Sequence, residues 1–438
     1  MNPRSKRWLL ALWALTALAN AALLFLLIPE FGGRLNPFYG HNVYADGYDQ
    51  LAASLVAGSG YRFYPDTAPT LMREPGYPLF LAAIFRTFGN NGLAVQAINL
   101  CMAVAAAWVV TRIARRVSDD PVMGLGAALL FLFHPGTLIA ESRGGVEVLF
   151  VLLLTTFLLT VYRALQSHKY TDYLVSGGVL GLTVLVKSTP MLFPPFLLGY
   201  LVLFHSRERS RRSHVRNIGL MVAAMFLVLS PWIVRNYGLT GKFVPTASVL
   251  GVSAHAGQYI CKHLSGGEPW YLLDRQASRE RTRLARELGY PFKDVTDGYY
   301  QFFYATADEM KFSSLLLNRV IGEYQDSPGL FMKCVGSNML NIWFAGKTWQ
   351  STSMNVAVQL PYLLLSAAGI VLTIRSGGAR IIFPLVLLVG YYVAVYVPIL
   401  AQARYSVSVI PFLSVLASIA LVEALRRIGA WVGRKGQV

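Results

Sequence analysis

From its N-terminus onward the chain alternates long apolar runs with short, mostly basic connections, and two longer segments of mixed polarity interrupt that rhythm. An α-helix needs roughly 17–25 mostly apolar residues to cross about 30 Å of hydrocarbon, because in lipid its backbone polar groups must be satisfied within the segment. Ten runs meet or approach that length: 8–28, 92–112, 121–140, 145–163, 172–187, 190–205, 216–234, 355–374, 380–401 and 407–425. The pattern predicts an all-α, polytopic integral membrane protein of about ten transmembrane helices. The first run follows Arg4, Lys6 and Arg7, and Ala17-Leu18-Ala19 imitates a leader cleavage site. The apolar stretch continues past that site, so an uncleaved first helix is expected.

Lysine and arginine in the short loops set the expected orientation. With the N-terminus inside, the inside loops hold Arg112, Arg115 and Arg116, then Arg163 and Lys169, the cluster from Arg207 to Arg216, Arg375 and Arg380, and the tail Arg426, Arg427, Arg434 and Lys435. The opposite short loops carry only Arg143, Lys187 and Arg404. Both termini are therefore expected in the cytoplasm. The chain divides into a transmembrane module over 1–234 with a first external loop at 29–91, an external helical segment at 235–354, and C-terminal transmembrane helices with a cytoplasmic tail at 355–438. In the first loop Leu51, Leu55 and Val56 share one helical face, which predicts an interfacial helix, and a second amphipathic piece runs from Leu79 to Phe88 after the Pro75-Gly76-Tyr77-Pro78 turn. The external segment shows helical patterning around 275–288 and 314–344, as a small domain lying on the membrane would.

Composition agrees: 55% of the 438 residues are hydrophobic and 14% charged, with a mean hydropathy of +0.47. The net charge of +17 does not imply nucleic acid, since the basic residues are dispersed between apolar runs rather than gathered on one soluble surface. Of 3 cysteines, Cys101 lies in an apolar run while Cys261 and Cys334 fall in the external segment, where an oxidising compartment permits a bridge and two free thiols are the alternative.

The candidate chemistry sits at the outer ends of the spans. Asp46 and Asp49, at i and i+3, share a face at the start of the first surface helix, where plain N-terminal capping is the alternative role. Glu141 and Glu147 flank the next outer turn, and a carboxylate at the mouth of an apolar helix needs a partner or water. Arg73, Arg143, Lys187, Arg235 and Arg404 all fall at outer ends, the side that the positive-inside bias depletes. Guanidinium forks bind phosphate bidentately, so together the five suit a lipid phosphate, although each alone could snorkel to headgroups. No cofactor is expected, and a divalent metal stays open without a ligand motif to hold it: His41, His134, His255 and His263 are scattered, and no HExxH, CxxC pair or GxSxG occurs. The aromatic run Tyr299 to Tyr304 suits either stacking on a sugar or anchoring at the interface.

The external Asp46-Gly47-Tyr48-Asp49 with Gly58-Ser59-Gly60-Tyr61, the turn Arg73-Glu74-Pro75-Gly76-Tyr77-Pro78, Val146-Glu147-Val148-Leu149-Phe150, Pro231-Trp232-Ile233-Val234-Arg235-Asn236, Phe243-Val244-Pro245, and Arg404-Tyr405 leading to Pro411-Phe412 occur in this order. In order and sidedness they resemble the GT-C fold glycosyltransferases, in particular bacterial relatives of protein O-mannosyltransferases and of the lipid A aminoarabinose transferase. Glu74 and Lys187-Ser188-Thr189-Pro190 depart from the usual pattern. The resemblance implies two juxtamembrane helices in the first external loop, a polyprenyl-phosphate-linked sugar as donor, and an acidic residue of that loop at the reacting centre, a position that Asp46 matches. Glu147 matches a second acidic position. The short external segment after Arg235 is unlike the large soluble domains of oligosaccharyltransferases. The expected function is transfer of one sugar, with inversion, to an acceptor lipid, glycan or protein at the periplasmic face of a bacterial inner membrane. A transporter or flippase of lipid-linked sugars, which would need charges or broken helices near the midplane, and a polysaccharide polymerase or ligase are the alternatives.

Overall fold

The computed structural model describes residues 14–23, 46–143, 145–205, 210–264, 269–293, 295 and 301–435, with side chains as far as 429. Helix α1 is described over 14–22, inside the first expected span. Next come the two juxtamembrane helices α2 (Tyr48–Val56) and α3 (Gly76–Phe88), then α4 (Gly92–Val117), α5 (Pro121–Leu132), α6 (Pro135–Ser142), α7 (Glu147–Ser167), α8 (Tyr170–Val186), α9 (Phe193–Phe204) and α10 (Arg211–Thr240). The external segment carries α11 (Leu250–His263), α12 (Trp270–Glu287), strands β1 (Phe292–Lys293) and β2 (Phe302–Phe303), α13 (Thr306–Asp326) and α14 (Pro328–Phe344). The chain re-enters the bundle with α15 (Trp349–Arg375), α16 (Ala379–Tyr396) and α17 (Ile410–Lys435).

Among the described residues six helices are long and apolar enough to span a membrane, or seven if the bent pair α5 and α6 forms one span. The shorter α8 and α9 occupy the runs 172–187 and 190–205, so every described run expected to span is helical. The chain is thus an all-α, multi-pass membrane protein.

One expectation needs correction, and two gain detail. The run 121–140 is not one helix: the chain bends by 55° between α5 and α6, because Pro135 cannot continue the hydrogen-bond ladder and His134 instead caps the new helix, its Nδ1 accepting from Gly136 N at 3.0 Å. Carbonyls near the break find side chains, with Asn20 donating to Leu132 O at 3.0 Å and Tyr362 to Leu130 O at 2.7 Å. The stretch 314–344 likewise divides, at Ser327-Pro328. Finally, the external segment is not purely helical: β1 and β2 pair antiparallel, bringing Phe292 opposite Phe303.

Small residues let the helices of the bundle approach closely. Gly177 and Gly181, four apart on α8, face α10, and a Cβ at Gly181 would stand 2.9 Å from the Met225 carbonyl oxygen, while one at Gly177 would collide with that of Met221. At the face bearing the external segment, Gly76 at the start of α3 meets the Leu185 backbone, where a Cβ would stand 2.8 Å away. That contact seats the juxtamembrane helix directly against the end of α8. In the external segment, Cys261 on α11 and Cys334 on α14 are disulfide-bonded with Cα atoms 5.5 Å apart, which settles their pairing, while Cys101 is free.

Candidate active site

Asp46 and Gly47 stand in the left-handed region, at φ of 73° and 74°. Aspartate tolerates that conformation better than most side chains and Gly47 adopts it freely, while a Cβ on Gly47 would also stand 2.8 Å from Phe63 Cε1. The double turn ends the loop and starts α2, whose Tyr48 meets Tyr77 of α3 edge to face at 5.2 Å. The Asp46 backbone is held as well: Arg73 Nε donates to its carbonyl at 3.1 Å.

The Asp46 carboxylate faces two guanidinium groups. Arg404, in the 3-10 turn Ala403–Val409 just before α17, donates from Nη2 to Oδ2 at 2.5 Å. Arg73 Nη2 lies 4.0 Å from Oδ1. Arg404 Nε also approaches Glu147 Oε1, at 3.8 Å, from the first turn of α7. Lys187, which ends α8, has its ammonium over the rings of Phe150, Tyr396 and Tyr405, at 5.5, 5.3 and 5.0 Å from their centroids. The Asp46 side chain is 22% exposed and that of Arg404 36%, so the pair is shielded yet open to solvent. Burial opposes ionisation of Asp46, but Arg404, then Arg73, and more remotely Lys187 outweigh it and hold the carboxyl down at about 2.

A second layer fixes the loop that carries Arg73. Glu309 of α13 is buried and accepts from Thr70 Oγ1 at 2.6 Å, Leu71 N at 2.8 Å and Ser248 Oγ at 3.1 Å. Tyr61 donates to the Arg73 and Glu74 carbonyls, both at 3.0 Å. Glu74 binds Ser188, its Oε1 accepting from N at 3.1 Å and Oγ at 2.7 Å, so the unusual residues of both motifs tie the first loop to the end of α8.

Of the residues singled out from the sequence, Asp46, Glu147, Arg73, Lys187 and Arg404 thus come together. The others stand elsewhere. Arg235 donates to Thr70 O and Asn236 Oδ1, both at 3.0 Å, and lies over Trp232 at 4.3 Å and Tyr61 at 5.2 Å, so it props the Arg73 loop rather than joining Asp46. Asp49 lies on α2, where burial lifts its carboxyl above the ordinary range against the pull of backbone N–H groups at Gln50 and Asp49. Glu141 is fully buried in α6, and neither carboxylate oxygen has a hydrogen-bond partner among the described residues. Arg143 ends α6, and its charge is felt by Lys347 of the external segment. Phe302 and Phe303 are buried, Phe302 against Phe63 and Tyr64, which takes them out of any sugar-stacking role. His41 lies outside the described residues, among which no three His, Cys, Asp or Glu side chains gather as a metal site. Glu309, Asp274 and Lys347, all facing this region from the external segment, escaped the sequence reading: the first two are each one charge on a helix rich in charges, and Lys347 is a lone charge in a neutral stretch, with no motif around any of them.

Residues 69–234 match the model of the dolichyl-phosphate-mannose-protein mannosyltransferase family. No curated protein matches the chain in sequence. Among solved structures, the oligosaccharyltransferase AglB of Archaeoglobus fulgidus in complex with an inhibitory peptide and a dolichol-phosphate superimposes with a TM-score of 0.56 and 14% identity, over 99% of this chain and 52% of that one. The apo form of the A. fulgidus oligosaccharyltransferase gives 0.58 and 14%, over 100% and 53%. The chain therefore spans about half the length of these relatives. ArnT from Cupriavidus metallidurans bound to undecaprenyl phosphate is matched with a TM-score of 0.41 and 13% identity, over 93% of this chain and 77% of that one. The chain has the GT-C fold.

Proposed function

We propose that this protein transfers a single sugar from a polyprenyl-phosphate donor to an acceptor hydroxyl, with inversion, at the periplasmic face of a bacterial inner membrane. The observation that carries the reading is the Asp46–Arg404 ion pair, formed by two outer-end residues far apart in sequence, with Arg73, Glu147 and Lys187 beside it. The dolichol-phosphate in the AglB complex and the family match over 69–234 support a lipid-phosphate donor. The excess of Lys and Arg in the opposite loops supports a periplasmic site with cytoplasmic termini.

Transfer requires a base for the acceptor hydroxyl and positive charge for the departing phosphate. Asp46 is the base, and its strengthened acidity keeps it deprotonated at neutral pH, at a cost in basicity. That cost is relieved when the donor phosphate draws Arg404 toward itself, so binding of the donor switches the carboxylate on. Such a base contributes about 10²–10⁴ in rate. The phosphate-side charges, Arg404, Arg73 and Lys187, supply the electrostatic share.

The test is to incubate membranes containing the protein with labelled polyprenyl-phospho-sugars and identify the labelled product. Transfer from a monophosphate-linked sugar that is lost in Asp46→Asn supports the proposal; a correctly folded Asp46→Asn with near-wild-type turnover refutes it. Transfer only from pyrophosphate-linked glycans would instead identify a polymerase or ligase.

A further inference from the structure

The external segment does more than prop the first loop. The first turn of α12 and the residues after α14 are joined to the stretch that presents Arg404: Tyr271 N donates to Lys347 O at 3.4 Å, and Ala403 N to Ala345 O at 3.1 Å. Trp270 and Leu273 pack with Leu400, and Ile399 and Tyr405 close the same apolar cluster. With that face of α12 seated on the residues flanking Arg404, Asp274 stands beside the cluster, and its charge is felt together with those of Arg404, Asp46 and Lys347. Arg143 enters the same neighbourhood from α6 through Lys347.

Two features set Asp274 apart. Among the described residues it makes no hydrogen bond or ion pair, whereas Asp46 is committed to Arg404 and Arg73, Glu147 to Arg404, and Glu309 to the loop. It also sits on an element separate from those bearing Arg73 and Lys187. A carboxylate shielded by its surroundings and left without a partner has hydrogen-bonding capacity to offer a ligand. Burial lifts its carboxyl above the ordinary range, with Arg281 and then Arg404 pulling the other way.

We propose that Asp274 and Lys347 form the acceptor side of this site: Asp274 accepts a hydrogen bond from a hydroxyl of the acceptor, and Lys347 donates to a neighbouring oxygen of the same molecule. The matched acceptor and donor fit a hydroxyl-bearing polar group, a sugar ring or a hydroxylated peptide side chain alike, and exclude a purely aliphatic one. The donor phosphate then lies toward Arg73, Arg404 and Lys187, with Asp46 between the two halves. On attack the acceptor oxygen forms the bond to the sugar C1, its proton passes to Asp46, and the bond from C1 to the phosphate oxygen breaks with its electron pair left on the phosphate. Asp274 holds the acceptor in place and exchanges no proton.

This inference rests on the proposed transfer site, and its experiment separates the two. The full-length protein in nanodiscs is assayed for binding of undecaprenyl phosphate, and for transfer from the labelled polyprenyl-phospho-sugars to increasing amounts of heat-treated membrane extract as acceptor source. Asp274→Ala should bind undecaprenyl phosphate within about twofold of wild type while the acceptor concentration at half-maximal transfer rises about tenfold or more, the loss of one hydrogen bond to a charged group. Asp274→Asn, which keeps an acceptor atom without the charge, should fall between. Arg404→Ala serves as the opposite control, losing undecaprenyl phosphate binding. Unchanged acceptor dependence in Asp274→Ala overturns the assignment, and so does a loss of undecaprenyl phosphate binding equal to that of Arg404→Ala, which would put Asp274 on the donor side. If wild type transfers from none of the donors, the site reading fails at its root and takes the acceptor side with it. Comparing acceptors cleaned of glycan or of protein identifies which source carries the hydroxyl.

Discussion

Replacing Asp46 by asparagine should uncouple binding from turnover. The carboxyl of Asp46 is held down from 3.8 to about 2, chiefly by Arg404 against the cost of burial. At 1.36 kcal/mol per unit, a drop of roughly two units is worth about 2 kcal/mol. Because the folded value lies below the unfolded one, that stabilisation is complete above about pH 4 and is lost as pH falls toward 2. Asparagine keeps the shape and removes the charge, leaving Arg404 with Glu147 at 3.8 Å. Three results follow. Thermal unfolding of Asp46→Asn should show a loss of about 2 kcal/mol between pH 5 and 8, shrinking below about pH 4. Turnover should fall by about 10²–10⁴. Binding of undecaprenyl phosphate should tighten by about tenfold, since Arg404 no longer has to leave a partner. Titration calorimetry in nanodiscs at pH 7.5 measures the last of these. Weaker or unchanged binding in a variant that folds would show that Arg404 does not exchange Asp46 for phosphate, and the switching argument would have to go.

Other consequences can be measured separately. Glu309→Ala strands Thr70 Oγ1 and Leu71 N; it should cost about 1–3 kcal/mol per stranded group and lower both the melting temperature and transfer, whereas an effect on transfer with no change in melting would contradict a positioning role. Gly177→Leu drives a side chain into the Met221 backbone, so it should abolish detergent-stable protein on size-exclusion chromatography while Gly178→Leu, whose Cβ direction is open, should not. Removing both Cys261 and Cys334 should lower unfolding free energy by about 2–4 kcal/mol, read as a melting shift that reducing agent reproduces in wild type and fails to produce in the double serine variant.

The spans were plain in the sequence because crossing lipid imposes one rule on every helix, and apolar length satisfies it visibly. The bend at His134-Pro135 was less visible, since the flanking run is apolar on both sides and only the side-chain caps from His134, Asn20 and Tyr362 make the break tolerable. Sidedness also carried the site part of the way: Arg73, Lys187 and Arg404 sit where basic residues are depleted, and all three gather around Asp46. Arg235 shared that sidedness and serves the loop instead, because position along the membrane normal says nothing about rotation within the plane. Glu309 and Asp274 reach their neighbours through tertiary placement, which no local pattern encodes.

The charges themselves argue for the kind of donor. On the proposed donor side stand three cations, Arg73, Lys187 and Arg404, and two carboxylates, Asp46 and Glu147, a surplus of one positive charge that the oppositely charged Asp274 and Lys347 leave unchanged. In a shielded site an uncompensated charge is costly, and a ligand that neutralises it is favoured over one that overshoots. A sugar joined to a polyprenyl monophosphate is a diester with one negative charge, which closes the balance; a pyrophosphate diester carries two and leaves an excess anion beside Asp46. Undecaprenyl phosphoryl sugars should therefore outcompete their pyrophosphoryl counterparts for the wild-type site. Asp46→Asn, by removing one negative charge, should narrow or reverse that preference, and a wild type that prefers the pyrophosphate would overturn the charge argument while leaving the geometry of the ion pair intact.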